Sequence, residues 1–137
     1  LVPIGKAAVR RVGRDLTVVT WGAMVPLALD GAAELAKEGV EAEVIDLRTL
    51  LPMDEETVLG SVRKTSKALV LHEEARTLGV GAEVAALLAE KAFEWLDAPV
   101  VRLTAPDTPV PFAPALEAAY LPGPSTLLAA ARKLAAY

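Results

Sequence analysis

Residues 16–47, LTVVTWGAMVPLALDGAAELAKEGVEAEVIDL, decide the fold class. Leu16 to Thr20 is a β-branched run of the kind that fits a pleated, buried surface, so it is expected as a strand. From Val25 to Glu38 the chain is expected to be helical. Val25, Leu29, Ala32, Ala33 and Ala36 repeat at helical spacing, Gly39 suits the C-terminal cap, and Pro26 is tolerable only in the first turn. Ala42 to Leu47 then reads as a second strand. A strand, a helix and a strand in so short a span form a βαβ unit, the building block of α/β layer folds.

Upstream, Gly13-Arg14-Asp15 reads as a turn, and Lys6 to Val12 is expected to pair with Leu16–Thr20 as a hairpin. Downstream, Asp54 is the expected N-cap of a helix whose first turn carries Glu55 and Glu56 and whose Val58, Leu59 and Val62 face the sheet. Ala68 to Leu71 reads as a third buried strand ending at His72. A long helix is expected over about 81–96, with apolar spacing at Val84, Leu88, Ala92 and Trp95. Val100 to Thr104 is the last strand. A proline-dense loop through Pro106, Pro109, Pro111 and Pro114 leads to a terminal helix over about 124–136. Any ligand crevice of such a sheet lies beyond the carboxyl ends of its strands. Four loops converge there: 21–24, 48–53, 72–79 and 105–111.

Composition narrows the function classes. With 137 residues, 53% of them hydrophobic and 23% charged, the chain is sized and composed for one folded core. Its net charge of −4 offers no basic stripe for a phosphate backbone, so neither nucleic acid nor an anionic membrane is an expected partner. An acidic surface would attract a basic protein, although this charge is also ordinary for solubility. No cysteine is present, which excludes disulfides and thiolate chemistry, and no apolar run approaches the ~20 residues needed to span a bilayer. A cytoplasmic location is expected. The chain also contains neither Asn nor Gln, residue types thinned out in heat-adapted proteins, which predicts a thermophilic source. It begins at Leu1, and Val2-Pro3 reads as the extended exit of a linker, so the chain is expected to be part of something longer.

Catalytic motifs are sparse. Thr20-Trp21-Gly22-Ala23-Met24 stands where a dinucleotide fold places its phosphate loop, yet it carries one glycine. Asp46, at the end of the next strand, is expected to anchor its loop by pairing with Arg48 or capping a backbone group. Gly79-x-Gly81 is expected to let the chain approach its neighbours closely. His72 is the only histidine and stands beside Glu73, Glu74 and Arg76. An acid–base role is conceivable for it, and a hydrogen-bonded structural role is the stronger expectation. Glu83, Glu90, Glu94 and Asp97 read as a solvated helix face. The segment from Pro106 to Phe112 combines rigidity with an exposed aromatic and an acid, suiting either an interface or a plain lid.

Four ordered blocks carry a resemblance. DLTVVTWGAMVPLAL (15–29), AEVIDLRTLLPMDEETVLGSVRKT (42–65), LVLHEEARTLGVGAEVAALL (69–88), and APVVRLTAPDTPVPF (98–112) with the following LEAAYLP (116–122) resemble the C-terminal domain of the β subunit of the thiamine-diphosphate-dependent decarboxylating component of 2-oxo acid dehydrogenases. The likeness runs from about Pro3 to Tyr137. It implies a three-layer α/β/α domain with a five-stranded mixed, mostly parallel sheet whose first strand is antiparallel. It implies residues 1–137 as a single domain lacking the pyrimidine-binding domain that precedes it. Thiamine diphosphate and magnesium would then belong to the full enzyme, with no cofactor, metal or catalytic residue expected in this domain.

The same resemblance implies an assembly role in an α2β2 heterotetramer, with contacts to an α subunit, a second β subunit and the small basic subunit-binding domain of the acyltransferase core. Asp97, Asp107 and the Tyr137 carboxylate are the partner-binding candidates. His72, Glu73 and Arg76 are the strand-edge candidates. The alternative is a free-standing small-ligand or nucleotide-binding module using the strand-edge crevice.

Overall fold

A computed structural model describes residues 1–137. Five strands, β1 (Ala8–Arg11), β2 (Leu16–Thr20), β3 (Ala42–Asp46), β4 (Ala68–Ala75) and β5 (Val101–Ala105), form one sheet in the order β1-β3-β2-β4-β5. β1 runs antiparallel to β3, and every other pairing is parallel. The helices are α1 (Met24–Lys37), α2 (Glu55–Thr65), α3 (Val80–Lys91), α4 (Pro114–Tyr120) and α5 (Pro124–Ala135), with a 3-10 turn at Phe93–Trp95. No helix is long and apolar enough to cross a membrane.

Strand alternation sorts the core into two halves. Leu16, Val18, Val44, Leu69 and Leu71 face α1 and α5, where they meet Ala28, Leu35, Leu127 and Leu134. Val19, Ile45, Ala68 and Val70 face α2 and α3, where they meet Val58, Val62, Val84 and Leu88. The result is the three-layer α/β/α arrangement, and central β2 is buried along its whole length.

The expected hairpin is corrected: β1 is the antiparallel strand, but its partner is β3. Gly13 explains the change. Its Cα is pressed against the start of β3, where a Cβ would stand 2.2 Å from the Glu43 nitrogen, and the amides of Arg14 and Asp15 both donate to the Glu41 carbonyl. The chain therefore enters beside β3, and the half-exposed β1 takes the sheet edge.

The buried stripe of α1 is also rotated from expectation. Met24, Val25, Ala28, Gly31, Ala32 and Leu35 are buried, whereas Ala33 is exposed and Leu29 and Ala36 are half-buried. α5 crosses at Gly31, where a Cβ would meet Leu127 Cδ2 at 2.6 Å, so a small residue marks the contact better than a large apolar one. The expected helix over 81–96 stops at Lys91 and finishes as the 3-10 turn. α4 was expected as loop. Four prolines precede its body, and of its residues only Tyr120 is even half-buried, so no apolar period announces it.

Candidate functional site

After β2 the chain moves through α1 to β3 on one side, then through α2 back across β2 to β4 on the other. The strand order thus reverses between β2 and β4, the place where open α/β sheets receive ligands at the carboxyl ends of their strands. Trp21 follows β2 at that point, and His72 lies on β4 opposite it.

β4 does not end at His72 as expected; it continues to Ala75. Leu71 pairs with Leu103 and Ala75 with Ala105, so β4 spends two more residues than β5 over this interval. Such a bulge re-aims side chains. His72 is completely buried and stacks on Trp21, with ring centroids 5.2 Å apart and planes at 12°. Glu74, two residues on and therefore on the same strand face, bridges the pair. Its Oε1 accepts from Trp21 Nε1 at 3.0 Å, and its Oε2 lies 2.6 Å from His72 Nδ1. That second contact has the separation of an ion pair without the direction of a hydrogen bond, and Nε2 has no polar partner either.

Two glycines make room for the ring. A Cβ at Gly81 would stand 2.2 Å from His72 Nε2, and one at Gly79 would stand 3.0 Å from Cε1 and 2.5 Å from the Ala75 carbonyl oxygen. The expectation of close approach at Gly79-x-Gly81 is met, and the imidazole is what they approach. Burial pushes the His72 pKa below its ordinary value, against the opposing pull of Glu74 and with a smaller push from Arg102. That favours the uncharged ring, which is walled by Trp21, Gly79 and Gly81. A group that trades protons with a substrate must reach it; this imidazole faces its own chain.

The other sequence-predicted residues are not gathered into one site. Glu73 and Arg76 are exposed on the carboxyl edge. Asp107 is on the same edge, where Thr77 donates to it twice, from N to Oδ1 at 2.8 Å and from Oγ1 to Oδ2 at 2.6 Å. Those bonds hold its carboxyl below the usual range and fasten the loop after β5 to the loop after β4. Asp97 is at the opposite, amino edge, its amide donating to the Ser66 carbonyl just before β4. Tyr137 ends the chain on that edge too, near Ala135, whose carbonyl accepts from Lys67 Nζ. Asp97 and Tyr137 therefore share an edge that Asp107 does not. Asp46 anchors its loop as expected, accepting from the Arg48 amide, although its ion-pair partner is Arg10.

Sequence reasoning missed Trp21 and Glu74. The signal for Glu74 was its two-residue spacing from His72, which is informative once β4 is continued past the apolar run. Beyond the same carboxyl edge, Leu51, Leu78, Val110, Phe112 and Leu116 are large apolar side chains left exposed, Leu78 at 97%. Exposed apolar groups gathered on neighbouring loops suit a contact surface, although Val9, Val12, Phe93 and Tyr137 are exposed elsewhere.

Residues 5–127 match the family model described as transketolase, C-terminal domain. The chain is 43% identical over 133 residues to the acetoin:2,6-dichlorophenolindophenol oxidoreductase subunit beta of Bacillus subtilis, covering 97% of this chain and 39% of that protein. It is 45% identical to the pyruvate dehydrogenase E1 component subunit beta of the same organism, covering 97% and 41%. With that organism's 2-oxoisovalerate dehydrogenase subunit beta it shares 42% identity, covering 100% and 42%. Among solved structures, a split gene transketolase described as an inactive beta4 tetramer superposes with a TM-score of 0.85 at 31% identity, over 98% of this chain and 43% of that one. A transketolase from Pichia stipitis, at 18% identity and a TM-score of 0.61 over 95% of this chain and 18% of its own, shares the fold. The chain thus spans well under half the length of these relatives.

Proposed function

Since the chain belongs to the transketolase C-terminal domain family, we propose that it serves as the assembly domain of the β subunit of a 2-oxo acid dehydrogenase, the component that oxidatively decarboxylates a 2-oxo acid and acylates a lipoyl group. The observation that carries this reading is the occupied crevice. Where the strand order reverses, the stacked Trp21 and His72, tied by Glu74, fill the space a ligand would take. The exposed Leu51, Leu78, Val110 and Phe112 instead lie on the loops around it, where another protein surface would cover them.

In the whole enzyme, thiamine diphosphate with magnesium supplies the carbanion chemistry that lets carbon dioxide leave. The residues of this chain do not fit that group. The Gly22 turn lacks the further glycines of a phosphate cradle, and three carboxylates of the carboxyl edge are engaged, Glu74 by Trp21 and His72, Asp46 by Arg10 and the Arg48 amide, and Asp107 by Thr77, which leaves Glu73 alone. The reading therefore assigns the cofactor to the α subunit and to a preceding β-subunit domain, and takes residues 1–137 as one domain of that longer subunit.

Its partners are an α subunit and a second β subunit of an α2β2 enzyme, met by the carboxyl edge, whose rim Glu73 and Arg76 shape. The amino edge, with Asp97 and the Tyr137 carboxylate, meets the basic subunit-binding domain of the acyltransferase, and Asp107 braces the opposite loops. A cytoplasmic enzyme of a heat-adapted organism is the setting assumed, and a composition free of Cys, Asn and Gln supports it.

Calorimetric titration of the chain with the acyltransferase's subunit-binding domain, at low and high salt, tests the reading. Binding that weakens with salt and with Asp97→Ala is expected. Silence toward that partner, together with saturable binding of a nucleotide at the strand edge, would overturn it in favour of a ligand-binding module.

A further inference from the structure

Two arginines form a second feature of the carboxyl edge, on the far side of β4 from the filled crevice. Arg76, just after β4, donates from Nη1 to the Arg102 carbonyl at 3.0 Å, and Arg102 on β5 donates from Nη1 to the Arg76 carbonyl at 3.0 Å. The exchange ties each guanidinium group to the backbone of the other arginine. It leaves Nε and Nη2 of each without a partner, and neither group takes part in any of the chain's ion pairs. The acid closest in the loops, Asp107, spends both oxygens on Thr77. Asp107 attracts Arg76 and offsets part of this charge, which leaves two cations against one carboxylate on this part of the edge.

The pair lines a cavity of about 360 Å³ together with Leu103, Asp107, Tyr120, Leu121 and Thr126, the Asp107 carboxylate being held by Thr77. Thr126 lies in the first turn of α5, so the positive end of a twelve-residue helix is at the same rim. The Tyr120 hydroxyl makes no hydrogen bond within the chain and is available to a ligand. The volume falls in the range of small-molecule sites, and the Leu103 and Leu121 walls suit an uncharged organic body.

We propose that this cavity binds a small phosphate monoester, clamped between Arg76 and Arg102. One guanidinium fork satisfies one carboxylate, whereas two adjacent forks match a dianion with three terminal oxygens. The inference shares Arg76 with the carboxyl-edge interface of the assembly reading, but its test involves no partner protein, so the two readings fail separately.

Amide shifts of the isotopically labelled 137-residue chain, recorded at constant ionic strength, test it with inorganic phosphate, glycerol 2-phosphate and acetate as probes. Saturable shifts at Arg76, Thr77, Arg102 and Thr126 are expected with both phosphates, tighter for the monoester, with acetate much weaker. Arg76→Met and Arg102→Met each lower phosphate affinity about tenfold or more, while Arg48→Met, an exposed arginine elsewhere on the same edge, leaves it unchanged. Arg76 is exposed and its variant keeps the fold, so that variant decides the matter if Arg102→Met unfolds. Equal affinity for acetate, or equal loss in all three variants, would mean diffuse charge attraction and overturn the site. Tighter binding of inorganic phosphate than of the monoester would reject the organic ligand.

Discussion

Gly81 Cα is packed directly on His72 Nε2, so close that a Cβ there would stand 2.2 Å from the ring nitrogen and 2.5 Å from Cδ2. The first turn of α3 and the buried imidazole of β4 are thereby fitted to each other. Gly81→Ala forces one of them to move, and overpacking of this kind costs about 1–3 kcal/mol. Urea denaturation should show that loss, and most of it should vanish in the double variant Gly81→Ala/His72→Ala, where the clashing ring is gone. Independent, additive losses would show that the two residues are not coupled.

The buried ring also gives stability a pH dependence. The His72 pKa is lowered in the fold, chiefly by burial, while in the unfolded chain it returns to about 6.5. Its contribution is complete above the unfolded value, because both states are then neutral. As pH falls below that value the unfolded chain takes up a proton the fold refuses, and stability declines until the folded pKa is passed. His72 is the only histidine, so the denaturation midpoint measured between about pH 7 and pH 5 reads this residue. His72→Leu should flatten the dependence.

Glu74 opposes that burial. Its carboxylate raises the His72 pKa both by charge and by its short contact with Nδ1. Glu74→Gln therefore lowers the His72 pKa further, which the imidazole proton resonance reports during titration. Trp21 loses its charged acceptor at the same time, so the indole N–H resonance shifts in the same variant. An unchanged histidine titration would contradict the bridging role.

The layer order, the parallel core strands and the Asp54 cap could be read from the sequence because each rests on local chemistry: β-branched runs, helical spacing, and an acid before two glutamates. Asp54 indeed accepts from the Thr57 amide, and it also accepts from Ala7, a contact between distant segments that no local pattern encodes. The features that were not legible share that character. The partner of β1 is set by how closely Gly13 approaches β3, and the face of α1 by how closely α5 approaches Gly31, which are properties of backbone separation rather than of apolar pattern. The Trp21–His72–Glu74 cluster joins residues about fifty positions apart through a bulge, so only Glu74 left a trace in its spacing from His72.

A buried carboxylate provides the last prediction. Glu43 lies on β3, beside the central strand, with its side chain almost wholly enclosed, accepting from Ser61 Oγ at 2.5 Å, from the Gly13 amide at 3.2 Å and from Lys64 Nζ. Burial alone would raise its pKa, but the bonds from Lys64, Ser61 and Gly13 outweigh it and leave the pKa low. Ser61 and Thr65 also bond Thr17 Oγ1 on β2, each at 2.7 Å, so Glu43 closes a polar network between the sheet and α2. Glu43→Ala strands those donors and costs about 3 kcal/mol. Lys64→Ala removes only a half-exposed partner and costs about 1 kcal/mol. Because the folded pKa is depressed, the contribution of Glu43 is present above about pH 4.3 and lost as pH falls through the folded value. Acid titration of stability should therefore be shallower in Glu43→Ala than in the parent chain, and a parallel course would show that the network does not hold the charge.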